Sequence, residues 1–430
     1  MNVRKVVKRV IPSGLFPAIE PWGHLLEAII WHALAGFPAR GMKVIGVTGT
    51  NGKTSTSFMI HKMLSQAGYK TGLMTTVAYG VDDDIRPQIH HMTNVPVPEL
   101  VQRLKWMKQQ KIDWLVLETT SHALAQNRVW GVPYSIAVMT NVTHEHLDYH
   151  KTFERYRDAK RRLFKLANQN KNGLRLGIIN AEDPSAELFA SDVEHPITYG
   201  VGKGDLRAKN VRLTPEGSTF TAKAGEDEYD IVCNIPGSFN VSNSLAAVAV
   251  GGAIGLTKKE IEDGIAALKG VEGRMTNIDE GQDFSVIVDF AHTPDSFEKL
   301  FKDLKPVVKG KLICMFGSAG RRDEAKRAVQ GELAGKYCDE VVITEEDDRD
   351  IDGQEIMKQI AGGAELAGKV RDKDLFLVHD RTEAINFAVK RAHAGDTVIL
   401  LGKGHEKTIE RADGEHPWDE IATAHTALKH

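Results

Sequence analysis

A strand, a glycine-containing loop and the start of a helix follow one another in segment 44–55, and this segment constrains the fold more than any other. Its sequence is VIGVTGTNGKTS. Gly49 and Gly52 let backbone N–H groups approach phosphate oxygens, and the following helix offers the positive end of its dipole. Lys53 adds a cation for phosphate, and Thr54 adds a hydroxyl that can bind Mg²⁺.

This loop departs from the strict phosphate-loop pattern, because Val47 stands at the position of the first glycine. One interpretation is a glycine-rich turn that binds no ligand. The strand before the loop, the Gly-Lys-Thr triplet and the helix after it together favour a nucleotide phosphate site instead. The residues predicted to form this site are Thr48, Gly49, Thr50, Asn51, Gly52, Lys53, Thr54 and Ser55.

Short β-branched runs alternate with helical stretches from Lys43 onward, which is typical of βαβ units around a largely parallel sheet. Between 205 and 233, short segments of interleaved polar and apolar residues predict inserted antiparallel strands. The helical rhythm resumes at about 241–255 and 258–268, and Gly270–Arg274 resembles a hinge. Four more buried strands predict a second, Rossmann-like unit, and they lie at 286–288, 312–316, 341–343 and 398–401.

We therefore predict an α/β protein in three parts, which fits a length of 430 residues. Residues 1–42 form a short N-terminal segment. Residues 43–272 form a central P-loop ATP-binding domain with a parallel sheet and a β-rich insertion. Residues 273–430 form a C-terminal Rossmann-like α/β domain.

The charge balance argues against a nucleic-acid binder, since 55 Lys and Arg face 58 Asp and Glu and the net charge is -3. The cysteines Cys233, Cys314 and Cys338 lie far apart, which fits neither a disulfide framework nor a CxxC zinc site. The apolar stretch 25–34 is too short to span a membrane, and no secretory signal is evident. We expect a cytoplasmic protein.

Further chemistry-bearing segments follow the phosphate loop along the chain. They are Glu118–Leu124 with Arg128, Thr140–His150, Tyr156–Lys160, Gly237–Asn243, Gly273–Arg274, Asp289–Pro294, Gly317–Asp323 and Gly402–Glu406. In this order, and with the loop TGTNGKT, they resemble the Mur ligase family, ATP-dependent amide ligases of cell-wall and folate metabolism. Within the family, the similarity is greatest to members that add a diamino acid.

The resemblance implies an ATP-dependent ligase that works through an acyl phosphate. It would add meso-diaminopimelate or L-lysine to a UDP-N-acetylmuramoyl-L-alanyl-D-glutamate-type acceptor, as a monomer acting on small molecules. One alternative is a family member with a folate-type, amidated wall-peptide or lipid-linked acceptor. Another is a binding module without catalysis, which the intact Lys53, Glu118, His146 and Lys160 argue against.

The resemblance assigns catalysis to those four residues, and Mg²⁺ to Thr54, Glu118, His146 and a Lys160 carbamylated by CO₂. Position alone supports Glu118, which ends a strand at the edge where parallel sheets gather ligands. By sequence alone, Lys160 is more typical of a solvated helix lysine. The density of His144, His146 and His150 suggests a zinc site, whereas the resemblance favours Mg²⁺ at His146.

The remaining site residues are also implied by the resemblance. Those expected to contact the nucleotide are Asn240, Asn243, Arg274, Asp289 and His292; those expected to contact the acceptor peptide are Thr93, Thr120 and Arg128; those expected to contact the amino acid are Asp347, Arg349, Gly402 and Glu406. A guanidinium at Arg349 can hold a second carboxylate bidentately. We therefore favour meso-diaminopimelate over lysine.

The resemblance implies that residues 1–42 stand where members using UDP-linked substrates carry a uridine-binding domain. A helix is predicted at about 22–35 and presents a broad apolar surface. We favour packing of this helix on the ATPase domain as a structural cap. The alternative is that Arg4, Lys5, Lys8 and Arg9 bring residues 1–36 to an anionic membrane.

Overall fold

The computed structural model describes residues 16–88, 93–214 and 216–429. Two β-sheets flanked by helices make up most of these ranges, as the alternation of strands and helices predicts. No helix in these ranges has the length and hydropathy needed to span a bilayer.

The first sheet has eleven strands, in the order β11-β10-β9-β8-β7-β6-β1-β5-β2-β3-β4. Their bounds are β1 Lys43–Thr48, β2 Thr71–Met74, β3 Ala78–Val81, β4 Asp84–Pro87, β5 Trp114–Glu118, β6 Tyr134–Met139, β7 Leu176–Asn180, β8 His195–Gly200, β9 Leu206–Thr214, β10 Gly217–Ala224 and β11 Asp227–Cys233. Strands β2, β5, β1, β6, β7 and β8 are parallel, and β9, β10 and β11 pair antiparallel with one another. The predicted β-rich insertion is confirmed.

Helices surround this sheet and join its strands. They are α1 Phe16–Leu34, α2 Lys53–Gln66, α3 Val97–Gln109, α4 Ser121–Ala125, α5 Leu147–His150, α6 Phe153–Gln169, α7 Ala186–Ala190, α8 Phe239–Ala253 and α9 Lys258–Ala266. The central strands β1 and β5 are buried along nearly their whole length, which suits their continuous apolar sequences. Because both run parallel, their carboxyl ends carry the phosphate loop and Glu118 to the same edge of the sheet.

The second sheet has six strands in the order β12-β13-β17-β14-β15-β16, and a hairpin of β18 and β19 follows it. The bounds are β12 Thr276–Ile278, β13 Ser285–Asp289, β14 Leu312–Phe316, β15 Glu340–Ile343, β16 Leu375–Leu377, β17 Thr397–Leu401, β18 Thr408–Arg411 and β19 Gly414–Pro417. The helices are α10 Pro294–Leu304, α11 Ala325–Tyr337, α12 Gly353–Leu366, α13 Arg381–Arg391 and α14 Glu420–Leu428. The four strands predicted here are confirmed; the division of the chain at residues 42 and 272 stays a prediction.

The largest cluster of buried apolar side chains is continuous between the two halves of the chain. It includes Ile45 of the first sheet, Val241 of α8, Val271 between the halves, and Phe297 and Phe316 of the second half. The halves therefore share one apolar core, in addition to the smaller clusters that each keeps for itself.

Helix α1 begins earlier than predicted. It covers Phe16–Leu34, so Pro17 and Pro21 lie inside its N-terminal part. A proline in the first helical turn lacks only an N–H that has no intrahelical acceptor there, which explains why Pro17 is tolerated. The inner face of α1 packs on α3 through Ala28, Val97 and Val101, so the predicted packing is confirmed. Arg4, Lys5, Lys8 and Arg9 lie outside the described residues.

A buried ion pair ties α13 to α14, and we expect it to matter for stability. The guanidinium of Arg381 donates to Glu420 at 2.8 Å and 2.7 Å, and both side chains are fully buried. Replacing Arg381 with Met leaves a buried carboxylate without its cation. We expect the free energy of unfolding to fall by about 3–5 kcal/mol in a denaturant titration.

The matched control is Lys259→Met, because Lys259 forms an exposed pair with Asp263 at 2.6 Å. That change should leave the free energy of unfolding nearly unchanged, as expected for an exposed pair. The double variant Arg381→Met with Glu420→Leu should recover most of the loss, since no charge is then buried alone. If the two single variants lower the free energy of unfolding equally, the buried pair contributes no more to stability than the exposed pair.

Candidate active site

A cavity of about 910 Å³ lies between the two halves, beside the carboxyl ends of β1 and β5. Most of the sequence-predicted site residues line it: Thr50, Asn51, Gly52, Lys53, Thr54, Ser55, Thr93, Glu118, Thr120, His146, Asn240, Asn243, Arg274, Asp289, His292 and Glu406. Seven others lie outside its lining: Thr48, Gly49, Arg128, Lys160, Asp347, Arg349 and Gly402. The volume suits a nucleotide-sized ligand.

The phosphate loop takes a backbone path that requires its glycines. Gly52 precedes α2 with a φ of 81°, and a Cβ there would lie 2.4 Å from the Asn243 side-chain oxygen. A Cβ on Gly49 would lie 1.9 Å from the hydroxyl of Thr140. The loop therefore lies close against Thr140 and Asn243, and the first N–H groups of α2, which lack intrahelical acceptors, lie at the cavity.

Lys53 and Thr54 begin α2 and face the cavity. The Lys53 ammonium donates to the Thr50 carbonyl at 2.8 Å. Burial lowers the pKa of Lys53, an effect that Glu118 opposes and Arg274 reinforces. The Thr54 hydroxyl donates to Glu118 at 2.9 Å, and the Arg274 guanidinium approaches the same hydroxyl at 3.3 Å. A hydroxyl, a carboxylate and two cations thus converge at the helix N-terminus.

Glu118 ends β5 and is the centre of a polar network in the cavity. Its carboxylate accepts from the Thr76 hydroxyl at 3.0 Å and from the Thr76 N–H at 3.1 Å, in addition to Thr54. Only 1% of Glu118 is exposed, so the residue is not a solvated glutamate at a strand end. Buried carboxylates persist where donors or metal ions satisfy them, and Glu118 has donors on both oxygens.

Lys160 projects from α6 into the back of the phosphate loop, where its ammonium donates to the Gly49 carbonyl at 2.5 Å. Its side chain is fully buried, which overturns the interpretation of Lys160 as a solvated helix lysine. The sequence alone misled because α6 presents this face to the loop rather than to water. Burial lowers the pKa of Lys160 well below its usual value, and the Lys53 charge adds to this effect.

His146 lies next to Lys160 in an aromatic cluster with His122 and Tyr156, at ring distances of 4.7 Å and 6.0 Å. Burial lowers the pKa of His146, so its imidazole is neutral at physiological pH. Of the neighbouring histidines, His144 is exposed, and His150 contacts the Ser121 hydroxyl at 3.0 Å. In the part of the chain that the structure describes, no three His, Cys, Asp or Glu side chains form a metal cluster.

The second half supplies the opposite wall. Arg274 is half-buried and stacks on the Phe290 ring at 4.6 Å. Asp289 accepts from the N–H groups of Met275 and Ala291 at 2.8 Å and 2.7 Å, so its carboxylate orders the backbone next to Arg274. Burial raises the pKa of Asp289. Burial also lowers the pKa of His292 to about 3, which leaves a neutral imidazole at the cavity.

The two asparagines of α8 form one side of the cavity. Asn243 donates to Asn240 at 2.9 Å, and Asn240 donates to the Pro236 carbonyl at 2.6 Å. Across the cavity, Asn51 of the loop donates to Asp295 of α10 at 2.9 Å. The phosphate loop therefore contacts both halves of the chain.

Asn94 connects the three residues predicted to contact an acceptor. Its amide oxygen accepts from the N–H and the hydroxyl of Thr120, both at 2.9 Å, and its carbonyl accepts from Arg128. Thr93, the residue before it, shares a 2.7 Å hydrogen bond with Thr76. The structure thus places Thr93, Thr120 and Arg128 in one network that reaches Glu118.

A second charged cluster lies around the GKGHE segment. The fully buried Lys403 bridges Asp347 at 2.8 Å and Glu406 at 2.6 Å. Although burial acts to lower it, Glu406 and Asp347 together raise the pKa of Lys403. Arg349 donates from Nε to Glu410 at 2.7 Å and also to the Gly320 carbonyl, so part of its donor fork is occupied.

Gly402 belongs to this cluster through its backbone. Its φ is 102°, and a Cβ there would lie 2.5 Å from a carboxylate oxygen of Glu346. Glu346 is buried, and burial raises its pKa. The sequence-predicted residues Asp347, Arg349, Gly402 and Glu406 therefore come together, and Glu406 is the one that lines the cavity.

Sequence reasoning missed three residues that organise the site: Thr76, Asn94 and Lys403. Lys403 lies inside the GKGHE segment, but nothing in the sequence indicates that its side chain is fully buried beside two carboxylates. Each acts through contacts with residues far away in sequence.

A phosphate loop on a parallel sheet, closed by an arginine from a second α/β unit, defines a nucleotide-dependent enzyme of the P-loop kind. The family model "Mur ligase middle domain" matches residues 47–251, and "Mur ligase, glutamate ligase domain" matches residues 273–404. The chain belongs to the Mur ligase family and is an ATP-dependent amide ligase that forms ADP.

Curated relatives resemble the chain over nearly its whole length. The UDP-N-acetylmuramyl-tripeptide synthetase of Roseiflexus sp. (strain RS-1) is 41% identical over 425 residues, covering 96% of this chain and 84% of the relative. The UDP-N-acetylmuramoyl-L-alanyl-D-glutamate--2,6-diaminopimelate ligase of Geobacillus thermodenitrificans (strain NG80-2) is 36% identical, covering 99% of this chain and 86% of the relative.

Solved structures agree on the fold. A UDP-N-acetylmuramoyl-L-alanyl-D-glutamate--2,6-diaminopimelate ligase superposes with a TM-score of 0.63 at 29% identity, over 96% of this chain and 82% of that one. A folylpolyglutamate synthase of Mycobacterium tuberculosis complexed with ADP superposes with a TM-score of 0.73 at 16% identity, over 94% of each chain. The second similarity shows the fold alone.

Proposed function

We propose that this ligase joins a diamino acid to the terminal carboxylate of a UDP-N-acetylmuramoyl-L-alanyl-D-glutamate-type acceptor in peptidoglycan precursor synthesis. The observation that carries the proposal is one cavity lined at the same time by Lys53, Glu118, Thr120 and Glu406. The names of the relatives support the same substrates.

The reaction has two steps. The acceptor carboxylate takes the γ-phosphoryl group of ATP, which gives an acyl phosphate and ADP. The amine of the diamino acid then attacks the acyl carbon, phosphate leaves, and the amine nitrogen loses a proton. Lys53 and Arg274 stabilise negative charge on the phosphate oxygens, while the enclosed cavity keeps water from the acyl phosphate.

The residues at the helix N-terminus fit a Mg²⁺ site, because hard oxygen ligands converge there. Thr54 and Glu118 would hold the ion together with phosphate oxygens and water, with His146 nearby on the same cavity wall. When bound, Mg²⁺ neutralises charge on the transferring phosphoryl group.

We also propose that Lys160 is carbamylated. The buried Lys160 ammonium donates to a carbonyl, and in the described ranges no carboxylate forms an ion pair with it. Once the ammonium has lost a proton, its nitrogen attacks CO₂ and loses a second proton, which replaces this cation by a carbamate anion beside Lys53 and suits the positive field of the loop. The resulting carbamate would supply two further oxygen ligands for a metal ion.

The Lys403 cluster is proposed as the amino-acid end of the site. Glu406 lines the cavity with a carboxylate for a substrate ammonium, and Arg349 lies behind it in the same cluster. A guanidinium has five N–H donors, and the hydrogen bonds to Glu410 and Gly320 occupy two of them. The remaining donors favour meso-diaminopimelate, whose second carboxylate lysine lacks.

Mass analysis of products tests the function. The enzyme is incubated with ATP and a panel that pairs muramoyl-peptide and folate-type acceptors with meso-diaminopimelate and L-lysine. We expect ADP release and one new amide, from the muramoyl peptide and a diamino acid. A product formed only from a folate-type acceptor, or no product from any pair, would overturn the proposal.

Replacing Arg349 with Ala should raise the KM for meso-diaminopimelate by about 10–100-fold and change the KM for lysine little, because the lost hydrogen bonds reach only the second carboxylate. Steady-state kinetics with both amino acids checks this. Arg371→Ala is the control, since Arg371 pairs with Glu365 on the surface of the same half. A wild-type enzyme that prefers lysine, with a preference that Arg349→Ala leaves intact, would point to Asp347 as the determinant.

A further inference from the structure

The outward face of α1 and the turn after it form an apolar strip. Its side chains follow helical spacing and are 43% to 76% exposed: Trp22, Leu26, Ile30, Leu34 and Phe37. Ile29 and Trp31 widen the strip at its middle. A continuous exposed apolar face of this length is uncommon on a protein that stays free in water.

The strip stays exposed because the other face of α1 is docked. Ala28 packs on Val97 and Val101 of α3, and His32 is buried against the Trp130 ring at 5.8 Å. At the start of the helix, Asn127 donates to the Pro21 carbonyl at 3.1 Å. Rotating α1 to bury the strip would break all of these contacts.

Charged side chains are scarce within the strip and more frequent in the sequence on either side of it. Histidines aside, residues 21–38 contain a single ionisable side chain, Glu27, and Glu27 contacts His24 at 3.2 Å. Arg40 follows on the exposed surface. In sequence, the fifteen residues before α1 hold Arg4, Lys5, Lys8 and Arg9 without any Asp or Glu. An apolar helix face next to clustered cations is the combination that binds anionic bilayer surfaces.

We propose that α1 lies in the interface of an anionic membrane, with the strip inserted at the headgroup–acyl boundary, and that the basic sequence before α1 favours anionic headgroups. The helix would lie on the bilayer without crossing it, because its other face stays docked on α3. The charge pattern favours a bilayer over a second copy of this chain, whose own cations would repel.

This placement has a consequence for the cavity. The elements that hold α1 continue directly into the acceptor network, since Asn127 precedes Arg128 and α3 follows Thr93 and Asn94. The bilayer would therefore lie on the acceptor side of the molecule. The proposal does not depend on which acceptor is used, because binding is measured without substrates.

Sedimentation with vesicles tests the proposal on the full chain. We expect the protein to bind phosphatidylglycerol vesicles and to bind phosphatidylcholine vesicles far more weakly, with binding reduced at high salt. The variant Trp22→Glu with Ile30→Glu should lower the fraction bound to phosphatidylglycerol at least about tenfold. Leu366→Glu is the control, because Leu366 is the most exposed apolar side chain of α12, at 85%, in the other half of the chain.

Two results of these experiments would overturn the membrane proposal. Circular dichroism melts show whether the variants keep the fold, and a folded double variant with unchanged binding would overturn the proposal. So would a wild-type chain that ignores phosphatidylglycerol. If light scattering then shows a wild-type dimer that the double variant converts to a monomer, the strip is instead an interface between copies. Intact ligase activity without vesicle binding would overturn the membrane proposal and leave the proposed reaction unaffected.

Discussion

Replacing Lys53 with Ala should reduce ATP turnover by at least about 10³-fold. Lys53 begins α2 and lines the cavity, where partial burial lowers the pKa of its ammonium. A preorganised cation in such a site contributes several kcal/mol to the stabilisation of a phosphoryl-transfer transition state. The measurement is ADP release in the presence of acceptor and diamino acid.

Lys62→Ala provides the matched control for this prediction. Lys62 lies on the same helix and forms a pair with the largely exposed Asp83 at 2.9 Å. Its loss should change turnover by less than about twofold, as expected for a surface pair. A folded Lys53→Ala enzyme with wild-type turnover would remove the phosphate-loop site from the mechanism altogether.

The second large effect is expected at Lys160, where replacement by Ala should lower activity by at least about 10²-fold. If the nitrogen carries a carbamate, a small carboxylic acid such as formate or acetate can occupy the vacated space and restore part of the rate. If Lys160 instead acts as an ammonium, a small amine rather than an acid should restore part of the rate. The measurement is ligase rate against the concentration of each additive.

A direct readout keeps this prediction independent of activity. Labelling the wild-type enzyme with ¹³C-bicarbonate should give a carbamate signal in the NMR spectrum, and the signal should be missing from Lys160→Ala. The control Lys165→Ala alters an exposed lysine of the same helix and should keep both signal and rate. Rescue by methylamine rather than by acids would show that Lys160 acts as a cation.

The parts of the fold that sequence predicted well are those encoded locally. The phosphate loop is recognisable because a strand, two glycines, Lys53 and a helix are adjacent in the chain, and the structure contains this arrangement. Buried strands such as Leu312–Phe316 are continuous apolar runs and needed no partner to be identified. Most of the predicted site residues line one cavity because parallel strands bring their carboxyl ends to one edge.

What the sequence could not predict depends on contacts between distant residues. Lys160 looked solvated because three of the four residues that flank it in RDAKR are charged, and only the packing of α6 on the phosphate loop reveals its burial. The helix predicted from about residue 22 begins at Phe16, because nothing local signals that α1 continues through Pro21. The acceptor network centres on Asn94, whose partners lie 24 to 34 residues away in sequence.

The apolar core that the two halves share limits how well halves of different Mur ligases can be exchanged. The cluster joins Ile45 and Val241 of one half to Phe297 and Phe316 of the other, and Asn51 and Arg274 add polar contacts across the same boundary. In a chimaera that takes each half from a different relative, the two surfaces that meet in this core come from different proteins and are not matched to each other. Swapping specificity between relatives should therefore succeed more often by transplanting the segment around Arg349 than by exchanging whole halves.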